Sequence, residues 1–130
     1  VIFDMTDFIS QKKYNTAASV LAELLADKNN EPIPMLAMLG LQMRKLYTAR
    51  LAIERELGAK FVMEVCSIKH EFIAKKLINS ARGFSLSQLR RAVALCAEAD
   101  YKMKSSSLDG RELLKETVMR IAAGETDAER

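Results

Sequence analysis

The chain has 130 residues, of which 49% are hydrophobic and 28% are charged, and its formal net charge is +3. This length suits one compact domain, and the composition is ordinary for a globular protein. The modest charge does not by itself indicate a nucleic-acid partner, two cysteines are too few for a disulfide framework, and no apolar run approaches the length of a membrane span.

Helix-forming residues dominate and alternating apolar and polar runs are scarce, so we expect an all-α bundle of six or seven helices. A first helix is predicted over residues 2–9, and a second has an apolar stripe within residues 17–25. A third helix begins at Pro32, where proline suits the first turn, and is expected to run to Gly58. Its first half is apolar almost all round, which is typical of a central helix, and Gly40 predicts a close helix crossing.

Short fourth and fifth helices are predicted over residues 59–65 and 69–82, and Gly83 suits a left-handed residue past a helix end. The sixth helix has the clearest start, because Ser85 and Gln88 have the spacing of a capping box. Two apolar residues flank this box at the positions of a hydrophobic staple, namely Phe84 and Leu89. A stripe at steps of three and four residues then follows along the helix: Leu86, Leu89, Val93, Cys96, Asp100 and Met103.

Asp100 is the charged residue within this stripe, and two interpretations of it are open. In the simpler one, Asp100 lies at the edge of the stripe and pairs with Lys104 one turn later. In the other, it meets a basic group or a backbone amide of a partner protein. The first is favoured, because a lone buried carboxylate is rare.

A second capping box and staple predict where the seventh helix begins. Asp109 with Glu112 forms the box, and Leu108 with Leu113 forms the staple. The helix is expected to run from residue 110 to 123 and to end at Gly124. The predicted domain is therefore residues 1–124, followed by a polar, disordered tail over residues 125–130.

No pattern in the chain indicates catalysis. Cys66 and His70 lie four residues apart and could share a helix face, a spacing that metal sites use, but a structural zinc site needs four ligands and His70 is the only histidine. The same two residues lack an orienting third group for nucleophilic chemistry. The five glycines occur singly, so there is no glycine-rich phosphate loop. We expect no enzyme activity, no metal and no cofactor in this chain.

Every charged residue between positions 74 and 91 is basic, and these residues are Lys75, Lys76, Arg82, Arg90 and Arg91. Such a face is usually a solvated surface, but it leaves open an alternative function as an independent helical nucleic-acid-binding module. Residues 61–77 could also form a helix-turn-helix, although the second helix would leave few polar side chains to read bases.

Taken in order, segments along almost the whole chain resemble the C-terminal domain of the delta subunit of bacterial DNA polymerase III. The most specific are Phe84-Ser-Leu-Ser-Gln-Leu-Arg90 and Ala99-Asp-Tyr-Lys-Met-Lys-Ser105, followed by Leu108-Asp109. The others are residues 1–7, residues 17–25 with Glu31-Pro32, Gln42-Met-Arg44, and Ala74-Lys-Lys-Leu77. Each segment alone is a weak helical pattern, and their order and spacing make the resemblance.

The resemblance implies a helical collar domain from the clamp-loader component that opens and loads the sliding clamp on primed DNA during replication. Its partners would be the tau/gamma and delta-prime subunits, joined in a five-membered ring in the bacterial cytoplasm. The family's clamp-binding element lies in an N-terminal domain, so this chain would neither bind the clamp nor hydrolyse ATP. A chain that begins at Val1 rather than Met is also expected to be a segment of a longer protein.

The resemblance further implies two kinds of site. The joint after the sixth helix resembles the region that faces the chamber for primed DNA, where some relatives have an aromatic residue and this chain has serines. The residues expected to face this chamber are Lys102, Lys104, Ser105, Ser106 and Ser107. The residues expected at a partner interface are Phe84, Leu86, Arg90 and Asp100.

Overall fold

A computed structural model describes residues 1–127, and within them it contains seven α-helices and no strand. The helix bounds are α1 Ile2–Ser10, α2 Tyr14–Ala26, α3 Pro32–Glu54, α4 Ala59–Cys66, α5 Glu71–Ala81, α6 Leu86–Ser105 and α7 Gly110–Ala122. The predicted all-α fold is confirmed. Within the described residues, no helix combines the length and the hydropathy that a bilayer span requires.

The core is built around α3, which packs against α1, α4, α5, α6 and α7. Leu36, Leu39, Met43 and Leu46 are fully buried on α3, and they recur at steps of three and four residues. The prediction of a central third helix is therefore confirmed. Gly40 lies where α3 contacts α6, but a methyl group added there would be 3.6 Å from Cys96 Cβ, an ordinary contact distance, so the expected close crossing that requires a glycine is not present.

The end of α3 differs from the prediction, because the helix ends at Glu54 and does not reach Gly58. Glu56 adopts the left-handed conformation at φ 55°. The Leu57 amide donates to the Ala52 carbonyl at 2.8 Å and the Glu56 amide donates to Ile53 at 3.2 Å, which is the bonding of a Schellman motif. Leu57, which follows this helix end, is exposed.

The predicted start of α6 is confirmed in detail. The Gln88 amide donates to Ser85 Oγ at 3.0 Å, and the Ser85 amide donates to Gln88 Oε1 at 2.8 Å. Phe84 and Leu89 are both buried beside this capping box. The buried stripe of α6 is rotated from the predicted one, since the helix packs against both α3 and α7. Its buried members are Leu89, Arg91, Ala92, Leu95, Cys96 and Ala99.

The start of α7 is only partly as expected. Asp109 caps the helix by accepting from the Arg111 amide at 3.0 Å, which is one residue earlier than a capping box requires. Leu108 is mostly exposed, so the expected staple with Leu113 is not formed. The helix ends at Ala122, shortly before the predicted Gly124, which adopts the left-handed conformation at φ 78°.

Gly83 is a glycine for a different reason from the one predicted, because it does not have a positive φ. A Cβ at this position would overlap the carbonyl oxygen and the side chain of Ser10. Ser10 Oγ also donates to the Ser80 carbonyl at 2.5 Å. Gly83 therefore allows the end of α1 to lie against the end of α5.

The polar segment after α7 has partners where a frayed tail was expected. Glu125 accepts from Arg120 at 2.6 and 2.7 Å, and Asp127 lies 3.4 Å from Arg90 Nη1. The first pair joins the segment to α7, and the second joins it to α6. Residues 128–130, the rest of the expected tail, lie outside the described residues.

Candidate functional site

The joint after α6 is formed by three serines that were expected from the sequence to lie near DNA. Ser105 Oγ donates to the Tyr101 carbonyl and Ser106 Oγ donates to the Lys102 carbonyl, each at 2.6 Å. Lys102 is one of the last four residues of α6, whose carbonyls have no further helical amide to bind them. Two of the serine hydroxyls therefore close the helix, while Ser107 and the lysines lie exposed beside them.

The charges at this end of α6 are partly paired. Lys104 Nζ lies 3.1 Å from Asp100 Oδ2, so the simpler interpretation of Asp100 is confirmed. This pair is exposed, and such pairs contribute little to stability. Lys102 is exposed as well and forms no ion pair within residues 1–127. The joint thus presents at least one cation that is free to meet an anion.

An aromatic side chain that was not predicted as a site residue lies at the same place. Tyr101 is 71% exposed on the last turns of α6, directly before Lys102. The signal for it was available in the sequence, since Tyr101 falls outside the apolar stripe of the helix. Aromatic residues with such exposure are costly to leave in water and are common at binding surfaces.

The residues expected at a partner interface at the start of α6 have different environments. Phe84 is buried in the core of this domain, so we leave it out of the proposed interface. Leu86 is half-buried. Arg90 is exposed, and its Nη1 lies 3.4 Å from Asp127 Oδ2. Hydrogen bonding with Tyr47, and secondly with Asp127, raises the pKa of the Arg90 guanidinium.

The basic face between residues 74 and 91 is not one continuous surface. Arg91 is buried, with Nη1 2.9 Å from Glu98 Oε2 and Nη2 3.5 Å from Glu125 Oε1. Lys75 lies 3.7 Å from Glu71, and Lys76 Nζ lies 5.2 Å from the centre of the Phe3 ring. Much of the charge that the sequence places here is therefore neutralised or turned inward.

Cys66 and His70 do not share a helix face as the spacing suggested. Cys66 is the last residue of α4, Ser67 turns the chain at φ 55°, and His70 lies at the N-cap of α5. Burial raises the pKa of the Cys66 thiol, and burial raises the pKa of Cys96 to about 12. Neither thiol is activated as a nucleophile. Among residues 1–127, no three or more His, Cys, Asp or Glu side chains are grouped as metal ligands would be.

Large apolar side chains on the outside of the bundle are the feature that the helical periodicity did not predict. Met38 and Leu41 are 56% and 47% exposed on α3, although Leu39, Met43 and Leu46 of the same helix are fully buried. Ile33, Leu108 and Phe72 are also exposed. The sequence signal was the apolar character of α3 on all sides, which leaves one face without a covering helix.

Comparisons with known proteins agree with this fold. Residues 1–121 match the model of a family described as the DNA polymerase III delta subunit, C-terminal domain. The chain is similar to DNA polymerase III subunit delta of Bacillus subtilis (strain 168), with 28% identity over 120 residues, which are 92% of this chain and 34% of that protein.

A solved structure gives the same result. The fold resembles that of the Bacillus subtilis DNA clamp loader delta protein with a TM-score of 0.83 and 27% identity, over 94% of this chain and 35% of that one. The chain thus spans about a third of the length of the relatives it matches. Since the family model extends over nearly the whole helical bundle, this chain belongs to the family of C-terminal domains of DNA polymerase III delta subunits.

Proposed function

We propose that this domain is a collar element, which holds a delta subunit in the clamp loader by packing against helical domains of the tau/gamma and delta-prime subunits. The observation that supports this role is the exposed apolar surface of a domain whose core is otherwise closed. Met38, Leu41, Phe72 and Leu108 are each between 47% and 63% exposed. Met38 and Leu41 lie one turn apart on α3, and neighbouring exposed apolar side chains of this kind are typical of protein–protein contact surfaces.

The domain has no chemical step of its own in this proposal. Opening and loading of the sliding clamp, and contact with the clamp, would belong to the other parts of the longer protein, in the bacterial cytoplasm. The test is to mix this chain with tau/gamma and delta-prime and to measure co-elution on a sizing column. Association at micromolar concentrations is expected, and failure to associate at any concentration tested would contradict the proposal.

A second part of the proposal is that the joint after α6 faces primed DNA in the assembled complex. Lys102, the Lys104–Asp100 pair and the exposed Tyr101 support it, because cations contact phosphate and aromatic rings stack on bases. The proposed contact residues are the five expected from the sequence, namely Lys102, Lys104, Ser105, Ser106 and Ser107, together with Tyr101.

Binding of the assembled complex to primed DNA tests this second part. Changing Lys102 and Lys104 to alanine should weaken binding and reduce its dependence on salt concentration, since each phosphate contact adds to the salt slope. The control is Arg55→Ala with Lys60→Ala, which removes two exposed cations, one just after α3 and one on α4. If the salt dependence of DNA binding is unchanged in the Lys102 and Lys104 variant, these two lysines do not contact phosphate and the proposed DNA contact is wrong.

The alternative of an independent nucleic-acid-binding module finds less support. It would need a face of free cations, whereas Arg91 is buried and Arg90 and Lys75 have acidic partners. The helix-turn-helix interpretation is weak for a related reason. The outer face of α5 presents Phe72 and Ile73 as well as lysines, and apolar side chains do not bind phosphate.

A further inference from the structure

One face of α3 is apolar and yet has no helix covering it. Pro34, Met38 and Leu41 follow one another at steps of four and three residues, so they align along one side of the helix. All three are exposed. We call these residues the α3 ridge. Lys45 continues the same line one turn further on.

A groove lies on each side of the α3 ridge. The groove toward α6 has a volume of about 340 Å³, and Ala37, Gly40 and Cys96 contribute to its lining. The groove toward α1 and α5 has a volume of about 250 Å³, and Phe3 and Ile73 contribute to its lining. A ridge between two grooves is the surface onto which a second helix packs, because rows of side chains on each helix fill the grooves of the other.

The charges that line the two grooves are mostly positive. Arg44 and Lys104 lie in the α6 groove together with Asp100, and Lys45 and Lys76 lie in the other. Lys104 is paired with Asp100, whereas Arg44 and Lys45 form no ion pair within residues 1–127. A partner that fits this surface is therefore apolar at its centre and acidic along its edges.

The length of the surface sets the size of the partner segment. From Pro34 to Lys45 the helix advances about 16 Å, which corresponds to three turns of a partner helix lying nearly parallel to α3. Nucleic acid does not match this surface, because its centre is apolar and the unpaired cations stand only at the margins. An amphipathic helix places apolar side chains in one stripe and carboxylates on both sides of it.

We propose that the α3 ridge binds an amphipathic helix of a neighbouring clamp-loader protein, whose carboxylates meet Arg44 and Lys45. This inference rests on the proposed collar function and specifies which face serves it and the chemistry of its partner. The apolar contact provides most of the affinity, and the two cations set the orientation and increase the association rate.

Two double variants and a matched control test the inference in the co-elution assay with tau/gamma and delta-prime, followed by titration for affinity. Met38→Ser with Leu41→Ser removes the apolar side chains of the α3 ridge. Arg44→Glu with Lys45→Glu reverses the charge of the two cations in the grooves beside it. Each should weaken binding at least about tenfold. The control is Val65→Ser with Met119→Ser, because these residues are 56% and 58% exposed but lie away from the ridge, on α4 and α7. It should bind as the unchanged chain does.

The outcomes separate this inference from the proposed function. If the unchanged chain binds the subunits and both ridge variants bind them equally well, the collar function stands and the ridge inference is overturned. If the unchanged chain binds none of them, both are overturned. A dimer of this chain alone that is lost in the Met38 and Leu41 variant would make a second copy the occupant and would also overturn the inference.

Ionic strength provides an independent measurement. The affinity of the unchanged chain should fall as salt rises, and that of the Arg44 and Lys45 variant should change less, because exposed charge pairs are screened. Equal salt dependence of the two would exclude an acidic partner. Thermal unfolding of each variant verifies that the fold is intact. Five of the six changed positions are exposed and Lys45 is half-buried, so we expect nearly unchanged midpoints.

Discussion

Arg91 donates a hydrogen bond to Glu98 two turns further along α6, with Nη1 2.9 Å from Oε2, although Arg91 itself is only 5% exposed. Its Nη2 lies 3.5 Å from Glu125 beyond the end of α7. Glu125 in turn accepts two hydrogen bonds from Arg120. A single buried arginine therefore connects the middle of α6 with the segment that follows α7.

The neighbours Arg91 and Arg90 should differ in their contribution to stability. We expect Arg91→Ala to lower the free energy of unfolding by about 2 kcal/mol, because it removes buried packing and leaves Glu125 without one partner. Arg90→Ala should cost much less than that, since Arg90 is exposed in its pair with Asp127 and such pairs contribute little to stability. Urea unfolding measures both, and equal losses would contradict the buried position of Arg91.

The ion pairs of Glu125 should make stability depend on pH on the acid side. The hydrogen bonds from Arg120, with the charges of Arg120 and Arg91, hold the pKa of Glu125 below its ordinary value of 4.5. A carboxyl group with a lowered pKa in the folded state stabilises the fold above its unfolded-state pKa, and this contribution is lost as pH falls through the folded-state pKa.

The unchanged chain should therefore lose more stability below pH 4.5 than the Glu125→Gln variant does. Urea unfolding at a series of pH values compares the two directly. If the free energies of unfolding of the two proteins change in parallel from neutral pH into the acid range, Glu125 is not stabilised by its ion pairs with the arginines.

Two glycines should respond in opposite ways to the same substitution. Gly83→Ala places a Cβ on the Ser10 backbone, so we expect a loss of at least about 2 kcal/mol in unfolding free energy. Gly40→Ala should be neutral or stabilising by up to about 1 kcal/mol, because alanine favours a helix interior. The nearest atoms to its added methyl group would be 3.4 and 3.6 Å away. Thermal or urea unfolding distinguishes these cases, and a stable Gly83→Ala protein would contradict the contact with Ser10.

The left-handed residue after α3 offers a stabilising substitution. Glu56 has φ 55°, a conformation that costs a residue with a Cβ about 1 kcal/mol and costs glycine almost nothing. Glu56→Gly should therefore raise the free energy of unfolding by about 0.5–1 kcal/mol. Glu64→Gly is the matched control, because Glu64 is exposed within α4. Its free energy of unfolding should fall by about 1 kcal/mol, since glycine disfavours a helix interior. A lower free energy of unfolding in both variants would contradict the left-handed conformation of Glu56.

Much of the fold could be predicted from the sequence because its signals are local. The Ser85 and Gln88 box and the Asp100–Lys104 pair depend on spacings of three and four residues, and both are present in the structure. Helix ends were less predictable. Residues other than glycine take the left-handed position at Lys12, Glu56 and Ser67, where packing of the following segment outweighs a local cost of about 1 kcal/mol.

The amino-acid sequence by itself determined the helices, their order, the cap of α6 and the apolar character of α3 on every side. Only the tertiary structure decided that Arg91 is buried while Arg90 is exposed, and that Met38 and Leu41 are the uncovered side of α3. The reason is physical: burial depends on surfaces that come together from distant parts of the chain, and no local spacing contains that information.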